Sequence, residues 1–182
     1  MKKDDLTVAV DMSLRSTGLV ILDKNNNLVN FKVIKTSAQD FTVDEDLIDY
    51  VKNEIDMAID EYKDGIKRFV IEGLSFNGFS ARKDVIAGLY WAIRVMVYFN
   101  HPSVLLGSVP VTTWRKRVMS GKEFKEIKKE CKNYLKDGVF SKLPDGIAKR
   151  FLLYIEENGL PFDSVYDLSD AYFLGVYRNS MP

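Results

Sequence analysis

Four acidic side chains stand at positions that stability alone does not explain. Val8-Ala9-Val10 is a short apolar run that ends on Asp11. A strand of that pattern delivers its last side chain to the edge of the core, where an unpaired carboxylate is costly to desolvate. Phe69-Val70-Ile71-Glu72 repeats the arrangement. Near the C-terminal end, Asp167 and Asp170 are three residues apart at the start of an apolar stretch, a spacing that puts both on one face of a helix. Taken singly, each has a structural explanation: Asp167 as a helix N-cap with Asp170 as a first-turn acid, Asp11 and Glu72 as solvated strand ends. Taken together, a strand aspartate, a strand glutamate and a helical Asp-x-x-Asp form an oxygen-rich set suited to hard divalent cations such as Mg²⁺.

The elements that must position these groups follow from hydrophobic periodicity. Alternation and turn residues predict strands at 6–11, 17–23 and 28–34, joined by short turns into an antiparallel meander. Apolar residues spaced by three and four predict a helix at 43–62, followed by a strand at 67–72, a helix at 80–99 and a strand at 104–109. Helices at 111–119, 123–136, 146–157 and 167–178 complete the chain. The expected fold is α/β: a five-stranded mixed sheet, three antiparallel strands then a parallel β-α-β-α-β, flanked by helices, in one domain over 1–182. The helix at 80–99 is apolar on nearly all sides, as a buried core helix or a subunit interface would be.

With these residues in place, the string Asp11-Met12-Ser13-Leu14-Arg15-Ser16-Thr17-Gly18, the strand-final Glu72 and Asp167-x-x-Asp170-Ala171 resemble the RuvC-type Holliday junction resolvases of the RNase H-like superfamily, especially their phage-encoded branch. The similarity spans most of the chain and continues through Ser75-Phe76-Asn77, a Gly88-containing helix and Val109-Pro110-Val111 ahead of a basic region. It departs from the bacterial pattern, which reads Asp-Pro-Gly where this chain has Asp11-Met12-Ser13, and from members with histidine at the position of Asp170.

The resemblance implies an RNase H-like fold and a Mg²⁺-dependent endodeoxyribonuclease, a hydrolase of DNA recombination and repair that cuts four-way junctions. Two ions per site, with Mn²⁺ as an alternative, would be held by Asp11, Glu72, Asp167 and Asp170, Asp11 bridging both. It also implies a lysine near the start of the basic helix that supports the scissile phosphate, for which Lys122 and Lys125 both fit and Lys125 is preferred. Because a four-way junction is nearly two-fold symmetric, a homodimer is expected.

Charge is distributed in a way that suits such a partner. The chain has 26 basic and 26 acidic residues and no net charge. Yet from Asp40 to Asp64 ten acids face two lysines, whereas from Trp114 to Lys136 nine bases face three acids. Within the basic stretch Lys122, Lys125, Lys129, Lys132 and Lys136 step by three or four and line one side of a helix, opposite Phe124, Ile127, Cys131 and Leu135. Arg115 and Lys116 join the DNA-binding candidates. So does the loop after Glu72, whose Phe76 and Phe79 suit stacking on unpaired bases and whose Arg82 and Lys83 suit phosphates; both rings also suit a core. Single Cys131 excludes an internal disulfide and fits a reducing cytoplasm, that of the host if the protein is phage-encoded. The sequence has no apolar run of membrane-spanning length and no secretory signal segment. His101, the single histidine, is expected to be a plain connection residue.

Other readings share parts of the pattern. Sugar kinases and actin-like ATPases also open on a strand, an aspartate and a Thr-Gly turn, but need two lobes and a later glycine-rich motif. A non-catalytic junction-binding protein would have no use for four carboxylates that repel DNA. Flaps, forks and RNA–DNA hybrids are alternative substrates for the same chemistry. If the basic stripe meets DNA, changing Lys125, Lys129 and Lys132 together to Gln flattens the slope of log affinity against log salt by about 0.9 per lost phosphate contact, measured on a four-way junction. An unchanged slope would place the DNA path elsewhere.

Overall fold

The computed structural model describes residues 5–37, 39–74, 82–119 and 132–181. The stacking candidates Phe76 and Phe79, the phosphate-supporting candidates Lys122 and Lys125, the stripe residue Lys129 and the thiol of Cys131 lie outside these residues, as does the side chain of Lys132.

Three strands open the fold, β1 (Leu6–Asp11), β2 (Ser16–Leu22) and β3 (Leu28–Lys35), followed by helix α1 (Asp44–Asp60), strand β4 (Ile66–Gly73), helix α2 (Lys83–Asn100) and strand β5 (Leu105–Pro110). Helices α3 (Val111–Val118), α4 (Lys132–Phe140), α5 (Asp145–Glu157) and α6 (Ser164–Asn179) follow. The sheet order is β3-β2-β1-β4-β5. β2 pairs antiparallel with both β1 and β3, while β4 pairs parallel with β1 and β5. The expected class and element order hold, with ends displaced by a few residues as hydrogen-bonded boundaries usually are; the helix expected at 123–136 lies mostly outside the described residues.

Strand alternation divides the molecule into two cores. Leu6, Val8 and Val10 of β1 project to one face, with Leu19, Ile21, Phe69 and Ile71, against α1 and α2. The α1 contribution is the stripe Leu47, Val51, Ile55 and Ile59, spaced by four. Ala9, Val20, Leu22 and Val70 project to the opposite face, which α3 to α6 cover. Period two then dictates that Asp11 and Glu72 leave the sheet on the α6 side.

α6 is buried on almost every side between Ser164 and Gly175, because the sheet lies beneath it and the other C-terminal helices flank it. Its approach to the sheet is unusually close. A Cβ on Gly18 of β2 would sit 2.5 Å from the carbonyl carbon of Asp167, and one on Gly175 would sit 2.9 Å from Leu22 Cδ1 and 3.2 Å from Ala9 Cβ. At the far end Thr7 Oγ1 donates to Asn179 Oδ1 at 2.5 Å, and Asn179 Nδ2 donates to the carbonyl of Asp23 at 2.9 Å. Thus α6 runs antiparallel to β1, its first turns over Asp11 and its last over Thr7.

Two expectations change. α2 is not a buried core helix: Val85, Leu89, Ile93, Met96 and Val97 are buried, but Trp91, Val95, Tyr98 and Phe99 are 50–72% exposed. One helix face suffices for the sheet, and nothing described covers the other. The C-terminal helix begins at Ser164, so Asp167 is inside its first turn and does not cap it. Among the described residues no helix is long and apolar enough to cross a membrane.

The close approach predicts that Gly18→Ala destabilises the fold by more than about 2 kcal/mol, since the obstacle is backbone. Gly146→Ala, with nothing within 4 Å of the new carbon, should be neutral or stabilising by up to ~1 kcal/mol. Chemical denaturation of both variants measures the contrast; equal effects would contradict the packing of α6 on β2.

Candidate active site

The parallel pairing of β1 with β4 runs to Val10 and Ile71, which sets Asp11 and Glu72 side by side at adjacent strand ends. Gly18 is the antiparallel partner of Asp11, and over this glycine the first turn of α6 brings in Asp167 and Asp170. Asp11, Glu72 and Asp167 are half-buried; Asp170 is 3% exposed. The arrangement is a cluster of four carboxyl groups at one end of the sheet, three of them partly exposed.

Neighbouring side chains orient three of the four. Trp114 of α3, fully buried, donates from Nε1 to Glu72 Oε1 at 3.1 Å. Ser16 Oγ donates to Asp167 Oδ2. Arg115, next to Trp114, forms an ion pair with Asp170 Oδ2, its guanidinium carbon 5.1 Å from the Trp114 ring centre. Arg115 Nε and Asp170 Oδ1 are buried with no hydrogen-bond partner among the described residues.

Every carboxyl of the set titrates above its ordinary range, and burial is the largest cause each time. Asp11 is raised well above it, further by the charges of Glu72, Asp170 and Asp167, and Arg115 opposes this. Glu72 is raised by burial against the pull of Arg115, the Trp114 hydrogen bond, a hydrogen bond shared with Asp11, and Lys136. Asp167 is raised by burial, with Ser16, Lys136 and Lys35 opposing and Asp170 reinforcing. Asp170 is pushed up to about 6 by burial and Glu72, against Arg115 and Lys136.

The four acids read from the sequence are therefore brought together. The basic candidates divide. Lys116 is exposed. Arg115 is not displayed to solvent but turned inward onto Asp170. Arg82 pairs with Asp44 of α1, and Lys83 begins α2. His101 is buried against Asp56 of α1, its Nε2 3.3 Å from Oδ1, on the sheet face away from the acids.

Three participants were not assigned to the acidic site from the sequence. Ser16 sits in the small-polar turn with nothing to mark it as a partner of Asp167. Trp114 is a conventional core residue in sequence, and its contact with Glu72 depends on the β5–α3 junction. Lys136 belongs to the basic stripe, yet its charge acts on Glu72, Asp167 and Asp170 while its Nζ lies 5.6 Å from the centre of the Tyr166 ring.

Hard cations are compatible with this donor set: all the acidic ligands are oxygens, and Asp170 presents a buried oxygen with no partner. Among the described residues, however, no three His, Cys, Asp or Glu side chains are gathered closely enough to share one ion.

The five-stranded mixed sheet flanked by helices is a RuvC-like fold by likeness to solved structures. No family model matches the chain, and no curated protein matches it in sequence. Among solved structures it is similar to Thermus thermophilus RuvC in complex with a Holliday junction substrate, with a TM-score of 0.61, 14% identity, and 94% of this chain and 90% of that chain covered. Thermus thermophilus RuvC in a second structure gives a TM-score of 0.60 at 14% identity, covering 94% and 91%. The yeast mitochondrial Holliday junction resolvase Ydc2 gives 0.54 at 12% identity, covering 95% and 76%. At these identities the likeness is one of fold.

The raised carboxyls make the protein's stability depend on pH in an inverted sense. Since folding raises these acids above their unfolded values, the folded state binds more protons than the unfolded chain between about pH 4 and the folded values. In cation-free buffer, stability is then lowest above the folded values and returns as the pH falls through them. Tm should rise as the pH is lowered from about 7.5 toward 5, and Asp11→Asn should be more stable than the parent near neutrality. A Tm that falls across this window, or an Asp11→Asn variant with the parent's profile, would show that the acids are not jointly desolvated.

Proposed function

We propose that this protein is a structure-selective endonuclease that cleaves four-way DNA junctions in a divalent-cation-dependent hydrolysis. The observation that carries the reading is the convergence of Asp11, Glu72, Asp167 and Asp170 from β1, β4 and α6 at one end of the sheet of a RuvC-like fold. The resemblance of Asp11-Met12-Ser13, the strand-final Glu72 and Asp167-x-x-Asp170 to the phage-encoded branch of the RuvC-type resolvases supports the same reading.

Asp11, at the end of the central strand between Glu72 on β4 and the α6 aspartates, would hold divalent cations together with Glu72, Asp167 and Asp170. When bound, Mg²⁺ ions supply an activated water and stabilise the departing 3′ oxygen of a phosphodiester. The chain's own residues prepare the site. Ser16 fixes the Asp167 carboxylate, and Trp114 fixes that of Glu72, so that neither must be reoriented when substrate arrives. Lys136 and Arg115 offset negative charge that would otherwise repel a DNA backbone. Lys116 at the surface of α3 is suited to a flanking phosphate.

Two such sites related by a dyad would cut the two opposing strands of a junction, which favours a homodimer. The exposed Trp91, Val95, Tyr98 and Phe99 of α2 provide an apolar face for a second copy.

Asp11→Asn should abolish cleavage of an immobile four-way junction in Mg²⁺ while leaving junction affinity unchanged or tighter, because a ligand is lost and phosphate repulsion falls. Glu72→Gln and Asp167→Asn should behave alike. The assay should include a flap, a fork, a duplex and an RNA–DNA hybrid, each with and without Mg²⁺. Preferential cutting of the flap, fork or hybrid would reassign the substrate, and near-parental activity of Asp11→Asn would remove the carboxylate site as the catalytic centre.

A further inference from the structure

We propose that Arg115 is a displaceable counter-ion: it occupies the place of a divalent cation on Asp170, so that cation uptake and opening of the Arg115–Asp170 pair are one coupled event. This rests on the reading of the carboxylate cluster as a cation site and specifies how that site is held when no cation is bound.

The geometry of the pair supports exchange over permanence. Arg115 and Asp170 are deeply placed, their side chains 16% and 5% exposed, and they come from different helices, α3 and α6. At that depth an arginine and a carboxylate normally meet through two parallel hydrogen bonds, which satisfy both groups. Here one guanidinium nitrogen reaches Asp170 Oδ2, while Arg115 Nε and Asp170 Oδ1 are left buried without a partner among the described residues. A permanent tether has no use for two unmet polar atoms in low dielectric. A carboxylate that must also accept a cation does, since Oδ1 is kept in reserve.

Charge points the same way. The Arg115 guanidinium acts on Asp11 and Glu72 as well as Asp170, so it compensates the three acids that a cation would compensate. A bound divalent ion would make that compensation redundant and put the guanidinium under repulsion. The Trp114 ring, 5.1 Å from the guanidinium carbon, is the other group that the guanidinium touches and reports on its position. Trp114 also holds Glu72, so one turn of α3 bears on carboxylates of both β4 and α6.

Coupling of this kind is reciprocal: an arginine that must be displaced weakens cation binding by the amount that the cation weakens the pair. The test is Mn²⁺ affinity, measured by electron paramagnetic resonance of free Mn²⁺ without DNA or turnover, for the parent, Arg115→Gln, Asp170→Asn and the double variant. Arg115→Gln should bind Mn²⁺ about 5- to 50-fold more tightly than the parent. In the Asp170→Asn background the same change should alter affinity by less than about twofold, because the competition is for that carboxylate. Equal or weaker binding by Arg115→Gln overturns the proposal. So does equal tightening in both backgrounds, which would mark Arg115 as a through-space charge that never leaves.

Should Arg115→Gln not fold, Trp91→Phe keeps Arg115 and leaves Trp114 as the sole tryptophan of a chain that has two. Its fluorescence should change on Mg²⁺ titration in step with binding, and stay constant when Asp170→Asn is added. Saturable Mn²⁺ binding with unchanged Trp114 fluorescence on Mg²⁺ titration overturns the displacement while leaving the cation site intact. No Mn²⁺ binding by the folded parent removes the cation site, and this proposal with it.

Discussion

The constraint on which the rest depends is the close seating of α6 on β1 and β2. Gly18 and Gly175 each remove a side chain where helix and sheet meet, and the Thr7–Asn179 and Asn179–Asp23 hydrogen bonds fix the far end. A helix held at a normal distance would leave Asp167 and Asp170 too far from the strand ends to form one cluster with Asp11 and Glu72. The same packing excludes water from the lower part of α6, which is why Asp170 is nearly enclosed.

That enclosure creates an electrostatic problem, and the structure meets it locally. Desolvation raises every carboxyl of the set, and like charges raise Asp11 further. Each acid has a compensating neighbour from another element: Ser16 from β2, Trp114 and Arg115 from α3, Lys136 from α4. Three sides of the cluster are thus tied together through the acids themselves, and α3 in particular is held to β4 and α6 by two consecutive residues. Stability and site geometry are not separable here, since groups that neutralise the acids also dock the helices.

The sheet separates charge as well as hydrophobic cores. The acidic run centred on α1 lies on the face opposite α6, and some of its acids are engaged there, with Lys32 on Glu54 at 2.7 Å and Arg82 on Asp44. Arg115, Lys116, Arg117 and Lys136 belong to α3 and α4, on the face of the carboxylates. The acidic run and these basic residues thus lie on opposite faces of the sheet.

The sequence by itself determined the element order, the two-sided sheet and the identity of the four acids. A strand that ends on an acid marks Asp11 and Glu72, and a spacing of three places Asp167 and Asp170 together on any helix. Only the tertiary structure decided the rest. That Asp167 lies within a helix beginning at Ser164, and answers to Ser16 in place of capping, depends on contact across 151 residues of sequence. That Arg115 turns inward onto Asp170 while Lys116 faces solvent depends on the angle at which α3 leaves β5, and that α2 keeps one apolar face bare depends on how much of it the sheet needs. Local periodicity encodes which side of its own element a residue occupies, whereas the partner it meets there is set by how elements distant in the chain pack, and no local pattern carries that information.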